Sequence, residues 1–213
     1  MSTAEPTFKR LKSEEEKADV AFNALEKTLR ELDEKREFVI KRSRDVQKSA
    51  KQAIYALQRL NVARANELID SCEVILGNEL LPAVQADPEL RYGSVASCAE
   101  EYAEAVIFRA YLVNSASPFP MLKEEFKLAL SADEYLGGLF DATGEIQRHA
   151  VVCATKRDVA TVERAREYVD YVMGRAQQFD LRNGNLRKKS DTIKVCPCTS
   201  SHYLYLSLAQ RCF

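Results

Sequence analysis

The chain has 213 residues, enough for one domain with a sizeable core. Its 46% hydrophobic and 30% charged residues give the make-up of a soluble globular protein, and 7 Gly with 6 Pro are too few for a turn-rich β fold. No uncharged apolar run of about 18 residues occurs, so no membrane span is expected. The polar start Met1–Lys12 has no signal-like hydrophobic region, so an intracellular protein with its six cysteines reduced is expected.

The formal net charge of −1 hides a pattern. Residues 41–64 hold seven Lys/Arg against Asp45 alone, residues 67–145 hold fifteen Asp/Glu against four Lys/Arg, and residues 148–194 hold eleven Lys/Arg against six Asp/Glu. Basic walls around an acidic metal site would suit phosphodiester cleavage. Solvated helix faces give the same composition.

Helical spacing dominates throughout, and an all-α bundle of about six to seven helices in a single domain is predicted. Residues 1–12 are expected to be disordered, and Ser13-x-x-Glu16 fits a capping box opening the body of the fold, 13–194. Val20, Leu25, Leu29, Leu32, Val39, Ile40, Val46, Ile54, Leu57 and Leu60 then recur at near-helical spacing to about residue 61, with a break allowed near 33–37. A second helix is predicted over 62–81, stopped by Pro82, and a third over 89–114. A short helix near 121–130 follows. Ser131-x-x-Glu134 opens a helix to about 154, Thr155-x-x-Asp158 one to about 179, and Leu186–Lys194 is a basic helical stretch. From Val195 to Phe213 the composition changes, and Pro197 disfavours a continuous helix in this atypical tail. Cys196-Pro-Cys198 lacks zinc-ligand spacing, and the chain has only two His, 149 and 202.

Two apolar stretches carry the chemistry. Glu101 and Glu104 are three apart in Cys98-Ala-Glu-Glu-Tyr-Ala-Glu-Ala-Val-Ile-Phe108, and Asp141 and Glu145 are four apart in Tyr135-Leu-Gly-Gly-Leu-Phe-Asp-Ala-Thr-Gly-Glu-Ile146. A helix puts each pair on one face. Four converging carboxylates among apolar neighbours would form a hard-oxygen site for a magnesium-type cation. The alternatives are surface faces, or ion pairs with Arg109 or Arg148 in place of a metal. Gly137, Gly138 and Gly144 weaken their helix by about 1 kcal/mol each. They suit close helix packing, or at Gly144 the approach of a phosphate. Arg42, Arg44, Lys48, Lys51 and Arg59 are candidate phosphate contacts, with Tyr55 as a base-stacking platform. Asp45 could instead pair with a neighbouring Arg. Arg187, Lys188 and Lys189 read more simply as a match to a helix C-terminus. His149 reads as a partly buried helix residue.

These segments resemble the translin family, on the side of translin-associated factor X. Leu32-Asp-Glu-Lys-Arg with Lys41-Arg-Ser-Arg-Asp45 and Ile54-Tyr-Ala-Leu-Gln-Arg59 is similar to the family's first helix. Glu101-Tyr-Ala-Glu-Ala105 is close to a catalytic-subunit Glu-Tyr-Val-Glu-Ala motif, and Asp141-Ala-Thr-Gly-Glu145 to an Asp-x-Thr-Gly-Glu segment. Leu181-Arg-Asn with Asn185-Leu-Arg-Lys-Lys-Ser-Asp191 resembles the shared C-terminal segment. The resemblance implies a translin-like α-superhelical fold. It implies binding of single-stranded RNA and DNA in a hollow octamer-like assembly, made with a translin-type partner subunit or as a homo-oligomer, without a membrane. It further implies Mg²⁺-dependent endoribonuclease activity (Mn²⁺ as an alternative ion) in RNA silencing or tRNA fragment processing, in cytoplasm and nucleus. Glu101, Glu104, Asp141 and Glu145 would be its catalytic and metal-binding residues. A non-catalytic nucleic-acid-binding or scaffold subunit is the other reading within the family, and a helical protein-interaction module the reading outside it.

Overall fold

A computed structural model describes residues 5–113, 126 and 129–195, with side chains described between residues 14 and 193 of those ranges. Among the described residues there are seven α-helices and no strand. None of these helices is long and apolar enough to cross a membrane. Two compact units divide the chain, residues 1–41 and 42–213.

Helix α1 spans Glu5–Gln58. Ser13 lies inside it and opens no helix. The helix runs without a break through 33–37. In the first unit its apolar residues Val20, Phe22, Leu25 and Leu29 are exposed. In the second unit α1 is sharply two-faced. Val46, Ala50, Ala53 and Leu57, spaced four, three and four apart, are fully buried. Arg44, Lys48, Lys51, Tyr55 and Arg59 follow the same rhythm on the opposite, exposed side. Leu60 turns the chain with φ 59°, and Asn61 caps the next helix by accepting from the Arg64 N–H.

Helix α2 (Val62–Ile75) does not stop at Pro82. A π turn over Leu76–Leu80 leads directly into α3 (Leu81–Ala86). A proline ring clashes with the carbonyl four residues back. The wider turn just ahead of Pro82, closed by the Leu81 N–H on the Leu76 carbonyl, gives that ring room. Asp87 then caps a short 3₁₀ turn, Pro88–Arg91, and Gly93 at φ 80° admits a left-handed residue before α4 (Ser94–Val113).

Helix α4 is the central element. Twelve of its twenty residues are buried, which places it inside the bundle and not on its surface. It packs mainly on α5 (Ala132–Thr155). The predicted capping box opens α5: the Glu134 N–H donates to Ser131 Oγ at 3.2 Å, and the Ser131 N–H to Glu134 Oε2 at 2.8 Å. Glu134 is itself buried and takes a two-pronged bond from Arg91. Of the helix predicted near 121–130, residues 126, 129 and 130 are described and none is helical; the rest lies outside the described residues.

Thr155 ends α5 and does not open α6 (Val159–Ala176), whose cap is Asp158 accepting from the Thr161 N–H at 3.1 Å. The short side chain nearest the first helical residue wins the cap. Helix α7 (Asn185–Val195) matches the predicted basic stretch and packs on α5 and α6. Cys72, Cys98 and Cys153 are buried free thiols. The tail beyond Val195, with its other cysteines and His202, lies outside the described residues.

Candidate active site and nucleic-acid face

The site is built where α4 and α5 come closest. A Cβ added to Gly138 would stand 2.6 Å from Ala103 Cβ, 2.7 Å from the Glu100 carbonyl oxygen and 2.8 Å from the Glu104 nitrogen. Gly137 is similarly tight against the Glu100 side chain, 2.7 Å from its carboxyl carbon. The two glycines therefore serve close packing, and that packing brings the Glu101–Glu104 pair of α4 alongside Asp141 and Glu145 of α5. Gly144 has nothing within 4 Å of such a Cβ, so helix packing does not account for it.

The four carboxylates feel one another. Burial, then the like charges of Asp141, Glu101 and Glu145, push the Glu104 carboxyl up to about 8. The other three are met by cations or donors. Lys51 Nζ stands 3.2 Å from Glu101 Oε1. Arg148 lies 3.3 Å from Glu145, and Gln58 Nε2 donates to Glu145 Oε2 at 2.7 Å and to its carbonyl at 2.9 Å. Lys189, arriving from α7, donates to Asp141 Oδ2 at 2.6 Å and to Glu100 Oε2 at 2.5 Å. Burial lowers the Lys189 ammonium, but its bonds to Asp141 and Glu100 outweigh this and hold it above the ordinary lysine value. Of the two arginines considered as neutralising partners, Arg148 takes that role and Arg109 bonds to Asn66 instead.

The donor set, all carboxylate oxygen, suits a hard divalent cation, and the Lys189 ammonium already stands among these oxygens as a positive charge. As the side chains lie, no group of three or more His, Cys, Asp and Glu among the described residues is arranged to hold a metal ion. The reason is visible in the pairings: oxygens that would have to converge on one point are turned towards Lys189, Lys51, Arg148 and Gln58.

The basic candidates separate. Arg44, Lys48, Lys51 and Arg59 share the exposed face of α1. Arg42 lies on the other side, with Nε and Nη2 forked on Glu79 at 2.5 Å each and Nη1 on Asp45 at 2.6 Å. It is a structural cross-brace, and Asp45 pairs with it and not with Arg44. The Arg59 guanidinium sits 4.5 Å above the exposed Tyr55 ring. The face runs into the acid cluster, since Lys51 reaches Glu101 and Gln58 reaches Glu145 from the same helix. His149 is buried beside Cys153 Sγ at 3.4 Å and edge-on to Phe108, away from any such role.

Three residues of this constellation were not singled out by sequence. Glu100 adjoins Glu101, so its presence was visible but its direction was not. Gln58 is uncharged. Lys189 sat in a basic cluster that reads as a helix-end charge match, and only the docking of α7 on α5 turns it inward.

A model of the translin family matches residues 34–196, a span that holds both the basic face and the acid cluster. The chain belongs to the translin family. The folds of three solved structures agree with that of this chain. AfC3PO superposes with a TM-score of 0.77 at 22% identity, covering 90% of this chain and 98% of that one. The structure described as an AfC3PO–duplex RNA complex gives 0.77 at 21%, covering 90% and 97%. Apo-NeC3PO gives 0.74 at 20%, covering 89% and 96%. No curated protein matches this chain.

Proposed function

We propose that this chain is a nucleic-acid-binding endoribonuclease subunit of the translin-associated factor X type, cutting RNA phosphodiester bonds with Mg²⁺ or, in its place, Mn²⁺. The observation that carries the reading is the meeting of Glu101, Glu104, Asp141 and Glu145 at the edge of an exposed basic face. Arg44, Lys48 and Arg59 hold backbone phosphates of a single strand, and Tyr55 offers a ring for a base. Lys51, between that face and Glu101, guides a phosphate towards the acids. The open space around Gly144 lets the phosphate reach the α5 backbone. Glu101, Glu104, Asp141 and Glu145 would hold the cation, which when bound would lower the pKa of a water and offset charge on the phosphate. Single-stranded DNA uses the same face. The RNA in one of the similarly folded C3PO structures supports RNA as the ligand. The working assembly is an oligomer with a translin-type partner subunit or with further copies, in cytoplasm and nucleus.

The test is cleavage of a labelled single-stranded RNA by the full chain, alone and with a translin-type partner, in Mg²⁺ and in EDTA. Cleavage in Mg²⁺ that EDTA abolishes is expected. The second reading, a non-catalytic binding or scaffold subunit, is favoured by the pairing of Glu101, Asp141 and Glu145 with cationic partners. It expects a salt-sensitive gel shift with no cleavage under either condition.

A further inference from the structure

Among the described residues three cations touch the acid cluster, and they differ. Lys51 and Arg148 are 65% and 69% exposed, so water screens their pairs and each contributes little. Lys189 is 26% exposed and sits between two carboxylates on two different helices, Glu100 of α4 and Asp141 of α5. It is also the one that arrives from a separate short element. The described part of α7 is eleven residues, and a helical stretch of that length takes most of its stability from tertiary contacts. On its docking side Ser190 and Ile193 are buried, while Arg187 and Lys188 face solvent. The Lys189 fork is the polar tie that stands beside this buried contact and joins α7 to the α4–α5 pair.

We infer that Lys189 is an internal competitor for the acid site: a latch that holds Asp141 in an ion pair and must release it before a divalent cation binds, loosening α7 as it does so. The inference rests on the proposed metal-site reading of Glu101, Glu104, Asp141 and Glu145. Lys189 holds Oδ2 of Asp141, and a divalent cation drawn to that carboxylate would stand within a few ångströms of the ammonium, where two positive centres repel. When Asp141 turns to the ion, Lys189 keeps Glu100 alone and α7 loses its ion pair to α5. A latch that is closed nine times in ten weakens apparent cation affinity about tenfold.

The experiment measures Mn²⁺ binding to the full chain by electron paramagnetic resonance, for wild type, Lys189→Gln and Asp141→Asn, with hydrogen exchange of the α7 amides with and without Mn²⁺. Lys189→Gln is expected to bind Mn²⁺ about tenfold tighter than wild type, and Asp141→Asn to bind it weakly. In wild type, Mn²⁺ is expected to speed exchange across residues 186–195. In Lys189→Gln exchange there is fast from the start and indifferent to Mn²⁺. Equal or weaker Mn²⁺ binding by Lys189→Gln, with wild type binding well, overturns the latch and leaves the metal site standing. Unchanged α7 exchange when wild type takes up Mn²⁺ overturns the latch as well, and needs no variant to fold. Absence of Mn²⁺ binding by both wild type and Lys189→Gln overturns the metal-site reading itself.

Discussion

The acid cluster and the basic face of α1 begin as the same kind of signal, like charges recurring at helical spacing, and end as opposite environments. On α1 the charges of Arg44, Lys48, Lys51 and Arg59 lie in water, opposite the buried stripe Val46, Ala50, Ala53 and Leu57. At the α4–α5 contact the charges lie beside the core, with Glu104 buried next to Ala103 and Ala105. The difference comes from the neighbours. A charged residue in a two-faced helix has a solvent side to take. Glu104, on a helix with most of its residues buried, has almost none, and its half-buried neighbours Glu100 and Glu101 have little, so these charges must be matched or neutralised. A charge held at that cost points to chemistry more strongly than one that is merely exposed.

The comparison breaks most visibly if the acids are removed. Glu101→Ala or Asp141→Ala should lower Mg²⁺-dependent RNA cleavage by roughly a hundredfold or more, since several kcal/mol of charge stabilisation goes with a lost ion. Far-ultraviolet circular dichroism and RNA binding should be largely retained. Cleavage by either variant at the wild-type rate would remove these residues from the active site.

Charge reversal on the basic face should act differently. Arg44→Glu with Lys48→Glu should weaken single-stranded RNA binding on all sequences alike, and flatten its dependence on salt by about 0.7 in logarithmic slope for each phosphate left without its cation. Arg42→Glu is the contrasting variant. It breaks the fork on Glu79, which the Arg42 guanidinium holds below the usual carboxylate range, and it leaves the exposed face intact. Its expected effect is on thermal stability, with the salt slope unchanged. A titration of binding against salt for the two variants separates the roles.

The fold was legible where a local rule met no competitor. Ser131-x-x-Glu134 predicted a capping box and its two hydrogen bonds are present. The apolar rhythm of α1 from Val46 to Leu57 predicted its buried side. Pro82 misled because a proline stop assumes an ordinary α turn before it, and here the turn is a wider one. Thr155 misled because two cap-forming residues stand three apart and only Asp158 adjoins the new helix. At the site, spacing told that Glu101 and Glu104 share a face, and Asp141 and Glu145 another. It could not tell what arrives from elsewhere in the chain. Lys189 lies 48 residues from Asp141, and no periodicity spans that gap.

Glu104 offers a test by pH. Its carboxyl is raised in the fold from the ordinary 4.5 to about 8. The folded state thus keeps a proton that the unfolded chain releases above about 4.5. The stability linked to this group is complete below the ordinary carboxylate value and is lost as pH rises towards 8. Glu104→Gln cannot ionise and escapes that loss. In EDTA the variant should match wild type in unfolding free energy, read from denaturant titrations, near pH 4 and exceed it near pH 8, by about 1 to 3 kcal/mol. A difference that is flat with pH would show that Glu104 titrates as an ordinary carboxylate.

The glycines of α5 give the smallest effects and sharpen the comparison most finely, because one helix contains both environments. Gly138→Ala must push a Cβ against the Glu100 carbonyl oxygen and the Glu104 nitrogen, both backbone atoms that cannot swing away. Overpacking of this kind should cost about 1 to 3 kcal/mol, and it should disturb the acid cluster by prising α4 from α5. Gly144→Ala meets nothing within 4 Å. In the helix interior it should gain up to about 1 kcal/mol, because alanine loses less conformational freedom on folding than glycine does. A folded-state advantage left unused in this way calls for a reason outside packing, and the proposed one is the approach of a phosphate to the α5 backbone. Gly144→Ala should therefore raise the melting temperature slightly while lowering RNA cleavage. If it raises stability and cleaves at the full rate, the open space at Gly144 is not where the phosphate comes in.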